Sequence, residues 1–163
     1  MKKALFFFSF LLLLTSNSIS SEIAIVDINF LLKNSNKGKS ILKELDNLNS
    51  QNSKKFKKKK NLLETEEKKI ASKKNILSKK DFNKEVISFR QKVEKYEIER
   101  RKSTQEINNI KLKKVAKLLD QINKILLEYS TKNSISTVID KKNIIITKEG
   151  NDITKKILKI LDS

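Results

Sequence analysis

The side chains that most often carry covalent or metal chemistry are missing from this 163-residue chain, which has no histidine and no cysteine. That removes most metal sites and the common nucleophile–base pairs. Gly38 and Gly150 are its two glycines and stand alone, so no phosphate-cradling loop exists. The carboxylates mostly alternate with lysines, as in Glu64-Thr65-Glu66-Glu67-Lys68-Lys69. That is the pattern of a solvated helix face, not of paired catalytic acids. Neither an enzyme nor a cofactor nor a metal site is expected.

The chemistry left to the chain is non-covalent. Its strongest local feature is the block Lys54, Lys55, Phe56, Lys57, Lys58, Lys59 and Lys60. From Gln51 to Lys80, twelve lysines stand against Glu64, Glu66 and Glu67, a net of +9. Such a block attracts polyanions. Acidic polypeptides or anionic lipid headgroups are the expected partners, and nucleic acid is not, because the chain opens like an exported protein. The competing reading is a solvated face that keeps neighbouring arms apart by repulsion. Phe56 sits alone among six lysines, where a ring gains little from packing, so it is expected to touch apolar segments of a bound polypeptide. Phe82 and Phe89 are candidates for the same role, although seam packing is the favoured reading for both.

The opening residues set the compartment. Lys2 and Lys3 precede an apolar run from Leu5 to Leu14, followed by the small, polar Thr15 to Ser21. This is the layout of a secretory signal peptide, with residues 1–20 as the leader and cleavage near Ser20 or Ser21. An uncleaved membrane anchor is the alternative. Without Lys2 and Lys3, 35 basic residues remain against 19 acidic ones, a net of +16. With no cysteine the exported chain has no disulfides, so packing or assembly must hold it.

The elements that position the lysine block follow from spacing. There is no proline anywhere and no glycine between Gly38 and Gly150, so the chain between them reads as very long helices. Ile23 to Asp27 reads as a strand, Asn29 to Leu32 as a turn or short helix, Asn34 to Gly38 as a loop, and Ser40 as the cap of the first long helix. Leu42, Phe56, Leu63, Ile70 and Leu77 lie at multiples of seven, with Asn49 in the missing slot, a heptad pattern that implies a partner helix. The companion position holds Leu45 but then Asn52, Lys59, Glu66 and Lys73, so the expected seam is one apolar residue wide.

This helix is expected to stop near Asn75, with a tip at residues 76–80 and Ser78 capping the return helix. Phe82, Val86, Phe89, Val93 and Tyr96 step by four and three along that helix. The pattern lapses from Glu97 to Glu106, then resumes from Ile107 to Tyr129. Ile135 to Ile139 and Asn143 to Thr147 read as a strand hairpin turned at Asp140-Lys141-Lys142, and Ile153 to Leu161 as a short terminal helix. The expected fold is α+β, mostly α: residues 21–40 and 116–163 form a small β body, and residues 41–115 form a long antiparallel helical hairpin projecting from it. A base this small buries little, so a homo-oligomer is expected, joined through Ile23, Ile25, Val138, Ile144, Ile146, Leu118, Ile122 and Ile125.

The two ends of the chain resemble the Skp/OmpH family of periplasmic chaperones. Ile23-Ala24-Ile25-Val26-Asp27, Phe30-Leu31-Leu32 and Gly38-Lys39 are similar to that family's opening strand and first turn. Val138-Ile139-Asp140-Lys141, Asn143 to Thr147, and Asp152-Ile153-Thr154 with Ile157-Leu158 are similar to its closing strands and last helix. The resemblance implies a homotrimer with helical tentacles around a cavity. It further implies ATP-independent holding of unfolded outer-membrane proteins in the periplasm, with anionic lipid or lipopolysaccharide as a further ligand. A rival reading is an envelope coiled-coil adaptor that binds one folded partner or an anionic membrane surface.

Overall fold

The computed structural model describes residues 22–163, and the expected leader lies outside them. The elements run β1 (Glu22–Val26), α1 (Ile28–Asn34), α2 (Asn36–Ser72), α3 (Lys79–Lys132), β2 (Ile135–Asp140) and α4 (Thr154–Leu161), with single 3₁₀ turns at Lys141–Asn143 and Glu149–Asn151. Two helices of 37 and 54 residues dominate. They pack antiparallel as a hairpin whose open end carries the strands and the short helices.

The chain enters the hairpin through a shared cap. Ser35 closes α1 by donating its N–H to the Leu31 carbonyl (3.1 Å), and its hydroxyl accepts from the Gly38 N–H (3.1 Å) to open α2. This corrects two expectations: Asn34 to Gly38 is not a loop, and Ser40 is not the cap. A serine five residues earlier already satisfies one of the free amides in the helix's first turn, so α2 begins at Asn36. Gly38 is required here for lack of room, because a Cβ on it would lie 1.9 Å from the Leu32 carbonyl oxygen.

The far end follows the expected pattern. Helix α2 stops at Ser72, three residues before the expected Asn75, and Ser78 caps α3 by accepting from the Asp81 N–H (3.2 Å). The Ser78 hydroxyl also donates to the Asp81 carboxylate (2.7 Å). At the other end of α3, Asn133 and Ser134 make the exit. Ser134 has φ 56°, the left-handed turn that releases the chain into β2.

The sheet differs from expectation. β2 does not fold back on residues 143–147 but pairs in parallel with β1, matching Ile23 with Thr137, Ala24 with Val138 and Ile25 with Ile139. The crossover joining these strands is the whole hairpin. After Asp140 the chain turns through Lys141–Asn143 and leaves the sheet, so the expected second hairpin strand does not form. Within one chain it meets no strand edge, and Ile145 and Ile146 are 100% and 89% exposed.

Under the sheet lies a core of Ala24, Val26, Leu31, Leu118, Ile122, Leu126, Ile153, Ile157 and Leu161. Residues expected to join subunits are therefore divided. Ile25, Leu118 and Ile122 are buried within the single chain, Ile122 completely, and offer no surface to another copy. Ile125 and Val138 pack half-buried against the same core. Ile23 and Ile146 are exposed and Ile144 is half-exposed. The periodic run of α3 from Leu118 to Tyr129 reads the same whether its apolar face meets its own chain or another, and here it meets its own. The C-terminal segment is clamped to the front of the chain: the Ile153 N–H donates to the Ile25 carbonyl (2.9 Å) and the Asp27 N–H to Thr154 Oγ1 (2.8 Å).

Candidate functional site

The arm is held by a seam wider than its apolar residues alone suggest. On α2 the side chains turned towards α3 are Ile41, Leu45, Leu48, Asn52, Phe56, Lys59, Leu63, Glu66 and Ile70. Leu42 and Asn49, two of the expected heptad positions, are exposed instead. The two seven-residue columns are joined by one step of four between Asn52 and Phe56, the local unwinding known as a stutter. The column of Leu45, Asn52, Lys59 and Glu66 stays in the seam throughout, and sequence spacing misses only the shift of its neighbour from Ile41 and Leu48 to Phe56, Leu63 and Ile70.

The polar companions face the seam and are matched there. Lys59, Glu66 and Lys73 pair with Glu99, Lys92 (2.5 Å) and Glu85 (2.8 Å), so each step of seven up α2 meets a step of seven down α3. Nearer the base, Asn52 accepts from the Ser103 hydroxyl (2.7 Å), Glu44 pairs with Lys114 (2.7 Å), and Lys37 donates to Gln121 (2.7 Å). The Lys59 ammonium hydrogen-bonds the Glu99 carboxyl and holds its pKa below the ordinary value. Exposed pairs of this kind each contribute little on their own, because water screens them. Their combined effect is to set register, since a slip of seven residues in either direction would oppose like charges, as in Lys59 with Lys92 or Glu66 with Glu99. Sequence reading missed this role, although Glu85, Lys92 and Glu99 at intervals of seven carry the complementary signal.

Phe56 is not the exposed ring expected from its lysine neighbours. It is 5% exposed and meets Tyr96 edge to face, with centroids 5.8 Å apart and planes at 65°. Lys55 and Lys59 lie 5.4 and 5.9 Å from its ring centre and place their charge over the aromatic face. The heptad position outweighed the lysine-rich surroundings, because a ring buried in the seam gains more than a ring in water. Phe82 and Phe89 are half-buried on the inner face of α3, as favoured.

The remaining lysines of the block divide sharply. Lys54, Lys55, Lys57, Lys58 and Lys60 are exposed, while Lys59 is half-buried by its partner. Beside Phe56 and Tyr96 an open groove of about 510 Å³ is lined by Lys57, Lys60, Arg100, Glu97, Asn52 and Thr104. Exposed apolar side chains recur along the arm at Leu62, Ile87, Ile98 and Leu112, each close to lysine or arginine in sequence. Among the described residues no cluster of three or more potential metal ligands occurs, and no helix is long and apolar enough to cross a membrane. The surface can attract and hold a chain by many weak contacts.

The family described as Outer membrane protein (OmpH-like) matches residues 22–161, nearly the entire described chain. The chain belongs to the OmpH-like family. An OmpH-like protein of Caulobacter crescentus CB15, put forward as an outer membrane chaperone, has the same fold with a TM-score of 0.79 at 16% identity. The likeness covers 86% of this chain and 83% of that one. None of the curated proteins matches. The OmpH-like fold accounts for the base, in which β1 meets the C-terminal segment, and for the long two-helix arm that leaves it.

Proposed function

We propose that this OmpH-like protein is an ATP-independent holdase. It would bind unfolded outer-membrane proteins in the periplasm between secretion and insertion. Membership of the family supports a chaperone role in general. The observation that carries the finer reading is the arm itself, about 55 Å of α2 from the base to the tip, covered with exposed lysines and scattered exposed apolar residues. With Phe56 buried, client contacts fall to Leu62, Ile87, Ile98 and Leu112, while Lys54, Lys55, Lys57, Lys58 and Lys60 draw in acidic stretches. Many weak contacts suit unrelated clients and need no nucleotide for release.

Assembly as a homotrimer completes the proposal. Ile144, Ile145 and Ile146 follow β2 as an apolar segment outside any strand, with Ile145 and Ile146 exposed. A run of this kind is readily satisfied by the sheet of a second copy. Three arms would then enclose a cavity. The leader, residues 1–20, would place the protein in the periplasm. The direct test is aggregation of a denatured β-barrel protein, followed by light scattering without ATP. Suppression at a ratio of one trimer per client supports the reading, and unchanged scattering refutes it.

A further inference from the structure

The two helices of the arm turn chemically different backs to solvent. Ile87, Ile98, Leu112 and Leu127 follow one another at intervals of 11, 14 and 15 residues. Those intervals are close to three, four and four helical turns, so the four side chains share one face of α3. Each is at least half exposed. The face lies opposite the seam, about half a turn round from Tyr96, Ser103 and Ile107. Between the apolar anchors it shows the exposed amides Gln91, Gln105, Asn109 and Asn123, with one acid and one base, Glu94 and Arg101. Eight lysines occur between Ile87 and Leu127, and at about 100° per residue all of them project about 50° or more away from this line. The back of α2 is the reverse. Lys43, Lys54, Lys57 and Lys68 stand on it, and none of the large apolar side chains of α2 does.

We infer that the back of α3 is the face against which a held chain lies, and that it takes uncharged, apolar stretches of unfolded polypeptide. The inference rests on the holdase reading and names the surface and the chemistry that surface accepts. In so basic a chain, a face about 60 Å long without a lysine is not built for polyanions. Nor does it suit a helix or the arm of a second copy, which would need apolar residues every three or four positions. Here one comes every three or four turns. Extended polypeptide rises about 3.3 Å per residue, so anchors spaced about 17–22 Å apart meet such a chain about every five to seven residues. The amides between them offer both donors and acceptors, which match backbone N–H and C=O groups left without partners until the client folds. The lysines on the back of α2 draw a client in, and the back of α3 retains it.

The test compares two triple variants of the mature chain that add the same charge at exposed polar positions. Gln91→Lys, Gln105→Lys and Asn109→Lys place it on the back of α3, whereas Asn47→Lys, Ser50→Lys and Asn61→Lys place it on the back of α2. The probe is a fluorescently labelled, urea-unfolded β-barrel protein, chased after binding with excess unlabelled client. The α3 triple should release it about tenfold faster, because lysines must then be desolvated where the client lies. The α2 triple should stay within about twofold of wild type. Ile98→Gln combined with Leu112→Gln should also hasten release and leave the association rate unchanged. Equal release from the two triples, or faster release from the α2 triple, would overturn the inference, while retention by the wild-type chain upholds the holdase reading. A wild-type chain that retains no client would overturn both. Loss of assembly in the α3 triple alone, seen by sedimentation, would assign the face to a second copy and overturn the inference too.

Discussion

Phe56 and Tyr96 meet across the arm, ring edge to ring face at 5.8 Å, at the point where the seam of α2 changes column. Above and below them the contacts are mainly single aliphatic side chains and polar pairs. This aromatic contact is therefore the main apolar bolt in the middle of the hairpin. Replacing Phe56 with Ala should cost about 3 kcal/mol. Hydrogen exchange should locate the loss in the amides of α2 and α3 near the bolt, while those of the base keep their protection.

The charge ladder makes a second prediction. Glu66→Lys alone places two lysines opposite each other and should destabilise the arm by about 0.5–1 kcal/mol. Adding Lys92→Glu reverses the pair and should restore most of that loss. A double-mutant cycle in low salt checks it, and the coupling should shrink as salt rises.

At the base, Gly38 has no room for a side chain. Gly38→Ala must push α1 and α2 apart to relieve a 1.9 Å approach to the Leu32 carbonyl. A loss of about 3 kcal/mol or more is expected, read as a lowered thermal midpoint, whereas Gly150→Ala has nothing within 4 Å to meet and should be close to neutral.

Asp152 predicts a pH dependence. Burial raises its pKa, but hydrogen bonds from the Lys141 ammonium and from the Thr154 hydroxyl and amide pull it further down, from 3.8 to about 2. A carboxyl whose pKa is depressed by folding stabilises the native state above its unfolded value, and that stability is lost as pH falls through the folded value. The wild-type chain should therefore lose stability between about pH 4 and pH 2. Asp152→Asn should be less stable at neutral pH and show a flatter profile across that window. Thermal midpoints from pH 5 to 2 measure both.

The exposed part of the lysine block bears on client capture. Replacing Lys57, Lys58 and Lys60 with Gln, while leaving Lys59 on Glu99, should slow association with an unfolded β-barrel client about tenfold at low salt. At high salt the difference should nearly vanish. Stopped-flow quenching with a labelled client reads both arms of the comparison.

The large features were legible because they follow from periodicity and punctuation. Absence of proline and glycine announced the long helices, and Ser78 with Asp81 announced the start of the return helix. The parallel pairing of β1 with β2 was not legible. A strand reads the same whichever partner it takes, and the nearer segment at 143–147 offered a shorter loop. For Phe56 the two signals conflict: its lysine neighbours point to an exposed ring and its heptad position to a buried one, and the heptad position prevails. The polar companions Asn52, Lys59, Glu66 and Lys73 looked like gaps in a seam, since their complements lie tens of residues away on the return helix. The division of Ile25, Leu118 and Ile122 from Ile23 and Ile146 required coordinates, because an apolar stripe does not announce what will cover it.

Because β1 and β2 lie side by side although more than a hundred residues separate them in the chain, the sheet cannot close until nearly the last of the polypeptide is present. Helical hairpins assemble from neighbouring residues and closing a long loop is slow, so the limb should zip from its turn downward and carry the opening strand to its mate. In the export route proposed above, the base would stay unmade until the C-terminal segment emerged. Maturation would then finish where β1 is tied to the C-terminal segment.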